Sequence, residues 1–198
     1  MKILTTLLIA GVLAVSGAIW FVYSGVYDVS ASAPHGGLIN WLLSTTSHAS
    51  IERHAGDIEV PDLSNAALAR TGVNDFDAMC VGCHGAPGVT PEAMAKGLNP
   101  PAPNLVESAQ HMNPAELFWV TKHGIKMTGM PAWGATHDDD SLWPVVAFMT
   151  ILPELDAEGY QSYLATASGM GHHAEGDVAG EHGHAQNEST DVRDGHEH

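Results

Sequence analysis

Cys80-Val81-Gly82-Cys83-His84 is the stretch on which the fold turns. It sets two thiols three positions apart and follows them at once with an imidazole. The pattern Cys-x-x-Cys-His is the attachment signature of a covalent haem: the thiols add to the two vinyl groups, and the adjacent imidazole is held below the iron. These are the chain's only two cysteines, too few for a disulfide framework or for a closed zinc site without other ligands. Two rival readings of the pair, a thioredoxin-like redox couple and half of a zinc site, meet specific objections. The first lacks a flanking strand-helix-strand pattern, and the second lacks a matching cysteine pair elsewhere.

Immediately before the motif, Ser64 to Met79 reads as a helix whose apolar positions Leu68, Val73 and Phe76 lead into Cys80. Beyond it, residues 85 to 105 form a Gly- and Pro-rich tract containing Asn99-Pro100-Pro101-Ala102-Pro103, where prolines forbid a continuing helix. Asn113-Pro114-Ala115-Glu116 then supplies a capping asparagine, a proline at the first helical position and a glutamate three residues after the cap, with Gly124 as the stop. A last helix is predicted over roughly Asp139 to Leu152, introduced by Asp138, Asp139 and Asp140 near its positive end and stopped by Pro153. Pro144 is tolerated in its first turn if Ser141 is the cap. It removes a backbone bond if the helix starts at Asp139. Periodicity thus gives three helices joined by loops, in a unit spanning residues 63 to 164.

Toward the N-terminus, the 25 positions from Ile3 to Tyr27 carry no charge, enough to span a bilayer. Trp20, Tyr23 and Tyr27 sit at the far end, where an aromatic belt belongs. The competing reading is a cleaved signal peptide, since Ala31-Ser32-Ala33 has the small-residue spacing of a cleavage site, but the apolar run exceeds the roughly 7 to 15 residues of a signal core. Retention is the preferred reading. With Lys2 cytoplasmic, it makes residues 1 to 27 a single inner-membrane anchor and places the remainder on the periplasmic side, an oxidising compartment. Residues 28 to 62 form a juxtamembrane linker with one short amphipathic helix around Leu38, Ile39, Trp41, Leu42 and Leu43, stopped by Pro61. It suits a packed spacer and a membrane-interface segment equally. At the other end, residues 165 to 198 form an acidic tail without apolar periodicity, expected to be disordered. Its six histidines, His172, His173, His182, His184, His196 and His198, suit weak uptake of a divalent metal.

Charge narrows the partners. Seven Lys plus Arg face 23 Asp plus Glu, a formal net charge of -16, which argues against nucleic acid. In the 63 to 164 unit, Arg70, Lys96, Lys122 and Lys126 stand against eleven acids, a balance of -7. A broad lysine docking face is therefore absent, and Lys122 with Lys126 is left as a small positive collar for redox partners.

Four features in order make the 63 to 164 unit resemble the class I c-type cytochromes. They are Gly72 and Phe76 before the Cys80 to His84 motif, the Pro103-Asn104-Leu105 element, Met130-Pro131-Ala132, and a final helix bearing Trp143 and Phe148. The resemblance implies an all-α fold, a small helical domain wrapped around one covalent haem c, here with an N-terminal transmembrane helix and a disordered tail. It implies that the first and last helices cross through Gly72 and Phe76 against Trp143 and Phe148. It also implies that the carbonyl of Pro103 accepts from His84 to fix its tautomer. The sixth iron ligand is expected at Met130, where Gly129 permits close backbone approach and Pro131 holds the residue extended. Met127 is the nearest competitor, and His111, His123 or His137 would give bis-histidine ligation instead. The implied role is one-electron transfer between membrane or periplasmic redox proteins, as a carrier and not an enzyme, with a haem enzyme, a gas sensor or a periplasmic metal-handling protein as rivals.

Overall fold

The computed structural model describes residues 1–167. Across them the chain is helical, with no named strand and only an isolated bridge between Ala86 and Val89, so the all-α expectation holds. The tail histidines expected to bind metal, His172, His173, His182, His184, His196 and His198, lie outside the described residues.

The first helix, α1, covers Lys2–Ser24 and ends where Gly25 adopts a left-handed φ of 67°. It is long and apolar enough to cross a membrane, and none of its residues is buried. The second, α2, covers Gly37–Ala55. It is longer than the short helix expected, and its end falls at Gly56, before Pro61 is reached. Ile51 and Ala55 bury its C-terminal half.

The helix before the motif, α3, covers Ala66–Phe76 and starts where the Asn65 side chain accepts from the Ala67 amide at 2.9 Å, an N-cap. Ala69, Gly72, Val73 and Phe76 are buried, the i, i+3, i+4, i+7 stripe of a core-facing helix. The sequence places the motif after this helix, but the helical run does not stop. It continues through a π-helical turn, Asp77–Val81, into a last turn α4, Gly82–His84. Both cysteines therefore ride on rigid backbone.

Downstream are α5 (Leu105–His111), α6 (Pro114–His123), α7 (Asp139–Ile151) and α8 (Ala157–Thr166). The capping box of α6 is present in full: Asn113 Oδ1 accepts from the Glu116 amide at 3.1 Å, and Glu116 Oε2 accepts from the Asn113 amide at 2.8 Å. Two helices were not foreseen. Helix α5 is capped by Asn104 at the end of the proline tract, and α8 follows Pro153 with Asp156 as its cap.

The core is the crossing of α3 and α7. A Cβ on Gly72 would lie 2.0 Å from the carbonyl oxygen of Pro144 and 2.6 Å from the Val145 amide nitrogen, so only glycine lets the two backbones meet. Helix α7 begins at Asp139, with Asp138 Oδ1 accepting from the Ser141 amide. Pro144 therefore lies inside the helix, where it withholds the amide that would have served Asp140. Phe76 and Phe148 meet as expected, with ring centroids 5.0 Å apart. Trp143 does not join them. It stacks on Phe118 of α6, centroids 3.9 Å apart and planes 9° from parallel, tying α6 to α7. Tyr160 of α8, wholly buried, closes the aromatic cluster against Phe76 and Phe148. Each such ring contributes about 1.5–3 kcal/mol by burial alone.

Candidate haem centre

Cys80, Cys83 and His84 occupy positions i, i+3 and i+4 of one helical run, a spacing that sets three side chains on a single face. Cys80 is buried and Cys83 half-buried, and neither is in a disulfide. Burial, helped by the negative potentials of Cys83 and Asp75, pushes the Cys80 thiol up to about 12. Redox-active thiols need the opposite, a pKa lowered toward neutrality, so the thioredoxin-like reading loses its chemistry as well as its flanking strands.

His84 ends the run, and the chain turns away at once. Gly85 takes φ 71°, and a Cβ there would sit 2.7 Å from the Val89 carbonyl oxygen. Residues 86 to 92 fold back as a clasp, with the Glu92 amide donating to the Gly82 carbonyl at 2.9 Å. The imidazole is fixed from the other side, because His84 Nδ1 lies 2.7 Å from the carbonyl oxygen of Pro103. A carbonyl can only accept, so Nδ1 carries the hydrogen and the lone pair is left on Nε2. Burial holds His84 below its ordinary pKa, opposed by the Pro103 bond, which keeps the ring neutral and Nε2 free to ligate. Pro103 itself is anchored by its neighbour: Asn104 Oδ1 accepts from the Val106 amide at 2.9 Å and starts α5. Two thiols and a tautomer-fixed imidazole on one helix face are the donor set that a covalently attached haem requires, so the residues present fit the group.

Met130 lies apart, in the loop between α6 and a 3-10 turn, Trp133–Ala135. The loop is held by several short contacts. Gly124, at φ 63°, lets the backbone of Met130 and Pro131 approach so closely that a Cβ would stand 2.7 Å from each carbonyl oxygen. Thr128 Oγ1 donates to Ile125 O at 2.7 Å and accepts from the Met130 amide at 3.1 Å. Gly129 abuts Leu98, where a Cβ would lie 2.5 Å from the Leu98 Cδ2, so the loop rests on the tract that leads to Pro103. Met130 is half-buried, whereas Met127 is 92% exposed and holds a left-handed φ of 63°.

Of the other candidate ligands, His111 ends α5 exposed and His123 is exposed beside Trp119, ring centroids 5.1 Å apart. His137 is buried, edge-on to Trp133, with Nδ1 2.8 Å from Thr136 Oγ1. The expected collar is also smaller than the sequence suggested. Lys122 Nζ pairs with Asp139 at 2.6 Å and lies over the Phe118 ring. Its charge is spent bridging α6 to α7, which leaves Lys126 as the exposed cation beside the Met130 loop.

One supporting contact escaped the sequence reading. Tyr160 donates its hydroxyl to Asp77 Oδ1 at 2.5 Å, at the start of the π-helical turn that carries Cys80. Burial, then the Asp77 carboxylate, push the phenol well above its ordinary range, so it remains a donor. The cap at Asp156 followed by Tyr160, Tyr163 and Leu164 was the available signal.

Residues 67–149 match the family model described as cytochrome C oxidase, cbb3-type, subunit III. No curated protein matches the chain. The matched segment takes in α3, the motif, the Pro103 and Met130 elements and most of α7. A helical domain built around a Cys-x-x-Cys-His turn, with this match across it, is a class I c-type cytochrome domain, whose implied cofactor is haem c and whose activity is haem-based electron transfer.

Proposed function

We propose that Cys80 and Cys83 hold one haem c as thioethers, that His84 and Met130 are its axial ligands, and that the chain passes single electrons between redox proteins of the membrane or periplasm. The anchor is residues 1 to 27, the linker 28 to 62 and the haem domain starts at 63; the expected boundary at 164 falls inside α8, which runs to Thr166 with Ala167 buried in the core, so the domain extends to 167 and the tail is 168 to 198. The anchor is single-pass in the inner membrane, with the haem domain facing the periplasm. The family match gives this a natural setting, as an electron-carrying subunit of a membrane oxidase complex.

The observation that carries the reading is the 2.7 Å contact from His84 Nδ1 to the Pro103 carbonyl. It selects the tautomer that ligates through Nε2 and raises the basicity of that nitrogen. When bound, the haem supplies a one-electron couple at its iron. The chain's part is to hold and tune it: the two cysteines fix the macrocycle to the helix, and the Met130 thioether, a soft ligand, favours the reduced metal. With His84 and Met130 both holding the iron, no position would be left open for a substrate, and the bound haem would supply electron transfer without bond-making chemistry. Met130 is preferred to Met127 because it is half-buried in a braced loop, while Met127 points into solvent.

The test is the absorption spectrum of the purified oxidised and reduced protein, with the Met130→Ala variant beside it. We expect the weak long-wavelength Fe(III)–sulfur charge-transfer band in the wild type and its loss in the variant. A wild type without the band, or a variant that keeps it, overturns the His/Met assignment.

A further inference from the structure

Helix α2 has two apolar stretches, and the domain covers only one of them. Ile51 and Ala55 bury its C-terminal half in the domain. In its N-terminal half, Leu38, Trp41 and Leu42 fall at i, i+3 and i+4, one side of the helix. Leu38 is 76% exposed, Trp41 60% and Leu42 54%. At 100° per residue, Leu38 and Leu42 stand roughly 100° to 180° around the axis from Ile51 and Ala55, while Trp41, roughly 40° to 80° from them, lies about three turns earlier along the helix, beyond the part that the domain covers, with its ring 60% exposed.

What lies beside this face follows from the linker. Only 12 residues, 25 to 36, separate α1 from α2, and they fold back on themselves. The Tyr27 ring rests near Phe21 of α1, centroids 6.2 Å apart, and its hydroxyl is 3.0 Å from His35 Nδ1, one residue before the α2 cap at Gly36. Contacts thus run from the last turns of α1 to His35, two residues before α2 begins. A turn closed by the Ala33 amide on Ser30 O shortens the path further, and Asn99 Nδ2 donates to the Ala33 carbonyl at 3.0 Å, fastening the linker to the haem domain. Helix α2 therefore starts level with the end of α1. No Asp, Glu, Lys or Arg occurs from Val29 to Ile51, so nothing with a permanent charge resists partial burial in lipid there. Tryptophan beside leucines is the composition of a segment at the headgroup boundary.

We propose that the Leu38–Trp41–Leu42 face of α2 lies in the outer interface of the bilayer that α1 spans, making α2 a second, in-plane membrane contact that sets the haem domain's tilt and distance from the membrane. The proposal rests on the reading of α1 as a transmembrane anchor. Two contacts with the same bilayer, joined by a folded 12-residue linker, remove the free swing of a single tether. The domain presents itself in a restricted orientation as a result.

The full haem-loaded chain, reconstituted into phosphatidylcholine vesicles brominated near the headgroup end of the acyl chains, tests this by quenching of tryptophan fluorescence. Wild type, Trp20→Phe and Trp41→Phe are compared, each referenced to unbrominated lipid, with the haem spectrum confirming an intact domain. We expect each substitution to remove a distinct share of the bromine-dependent quenching. Loss in Trp20→Phe alone leaves α1 in the membrane and overturns the α2 contact, freeing that face for a protein partner. Loss in neither variant overturns the anchor reading, and this inference with it.

Discussion

The two sides of the haem centre are built by different physics. On the His84 side, the ligand candidate ends a helical run whose earlier turns are among the most buried parts of the described residues: Val73 and Phe76 have no exposed surface, and Cys80 is nearly as covered. On the Met130 side, the ligand candidate sits in a loop secured by two close glycine approaches and a threonine hydroxyl, with Lys126 and Met127 in solvent a few residues away. One side is set by the core and cannot move without it. The other is set by local hydrogen bonds and can be altered while the core stays folded. If Cys80, Cys83, His84 and Met130 hold the haem as proposed, the comparison teaches that attachment and the His84 ligand belong to folding, whereas the Met130 ligand, and with it the potential of the iron, can be tuned separately.

The largest effects are expected where the core is cut. Phe148→Ala removes a fully buried ring that meets Phe76, Tyr160 and Tyr163, and should cost about 3–5 kcal/mol in denaturant unfolding. If the two sides are as separate as described, the folded fraction at low denaturant retains a normal Fe(III)–sulfur band. Gly72→Ala acts on the same crossing by overpacking. Its added Cβ meets the backbone of Pro144, which cannot rotate away, so the helices must separate at a cost of about 3 kcal/mol. A thermal midpoint unchanged from wild type in Gly72→Ala would show that the α3–α7 crossing does not hold the proximal side.

The same contrast explains what could be read before the structure. The motif and the capping box of α6 were legible because each depends on neighbours within four residues, Asn113 with Glu116 and Cys80 with His84, whereas the start of α7 stayed open between Asp139 and a Ser141 cap until the structure placed the cap at Asp138. The Pro103 contact was anticipated only through family resemblance, since a bond between residues 84 and 103 leaves no local trace. The Phe76–Phe148 meeting was likewise anticipated through the resemblance, but other features formed by distant segments were missed or misplaced. Trp143 was assigned to the α3 crossing, but azimuth on a helix does not say which neighbour fills it, and Phe118 does. Lys122 read as a free cation because its acidic partner, Asp139, is 17 positions away. Helix α8 is short, and its stability comes from burying Tyr160 against rings of α3 and α7, with little owed to intrinsic propensity.

The smallest expected effect is the sharpest discriminator on the Met130 side. Met127 carries a left-handed φ of 63° with its side chain in solvent, a conformation that costs an L-residue roughly 1–2 kcal/mol and glycine nothing. Met127→Gly relieves that strain but frees the unfolded backbone, at roughly 0.5–1 kcal/mol. The two effects oppose each other, so stability should stay the same or rise by up to about 1.5 kcal/mol. If Met130 is the ligand, the charge-transfer band and the reduction potential are unchanged, because position 127 contributes only backbone to the turn. If Met127 is the ligand, the band disappears and the potential falls, while the fold remains intact. The two methionines are three residues apart in one loop, yet only one is braced by the Thr128 hydroxyl. A band that survives Met127→Gly and vanishes in Met130→Ala would assign the distal ligand to the braced residue.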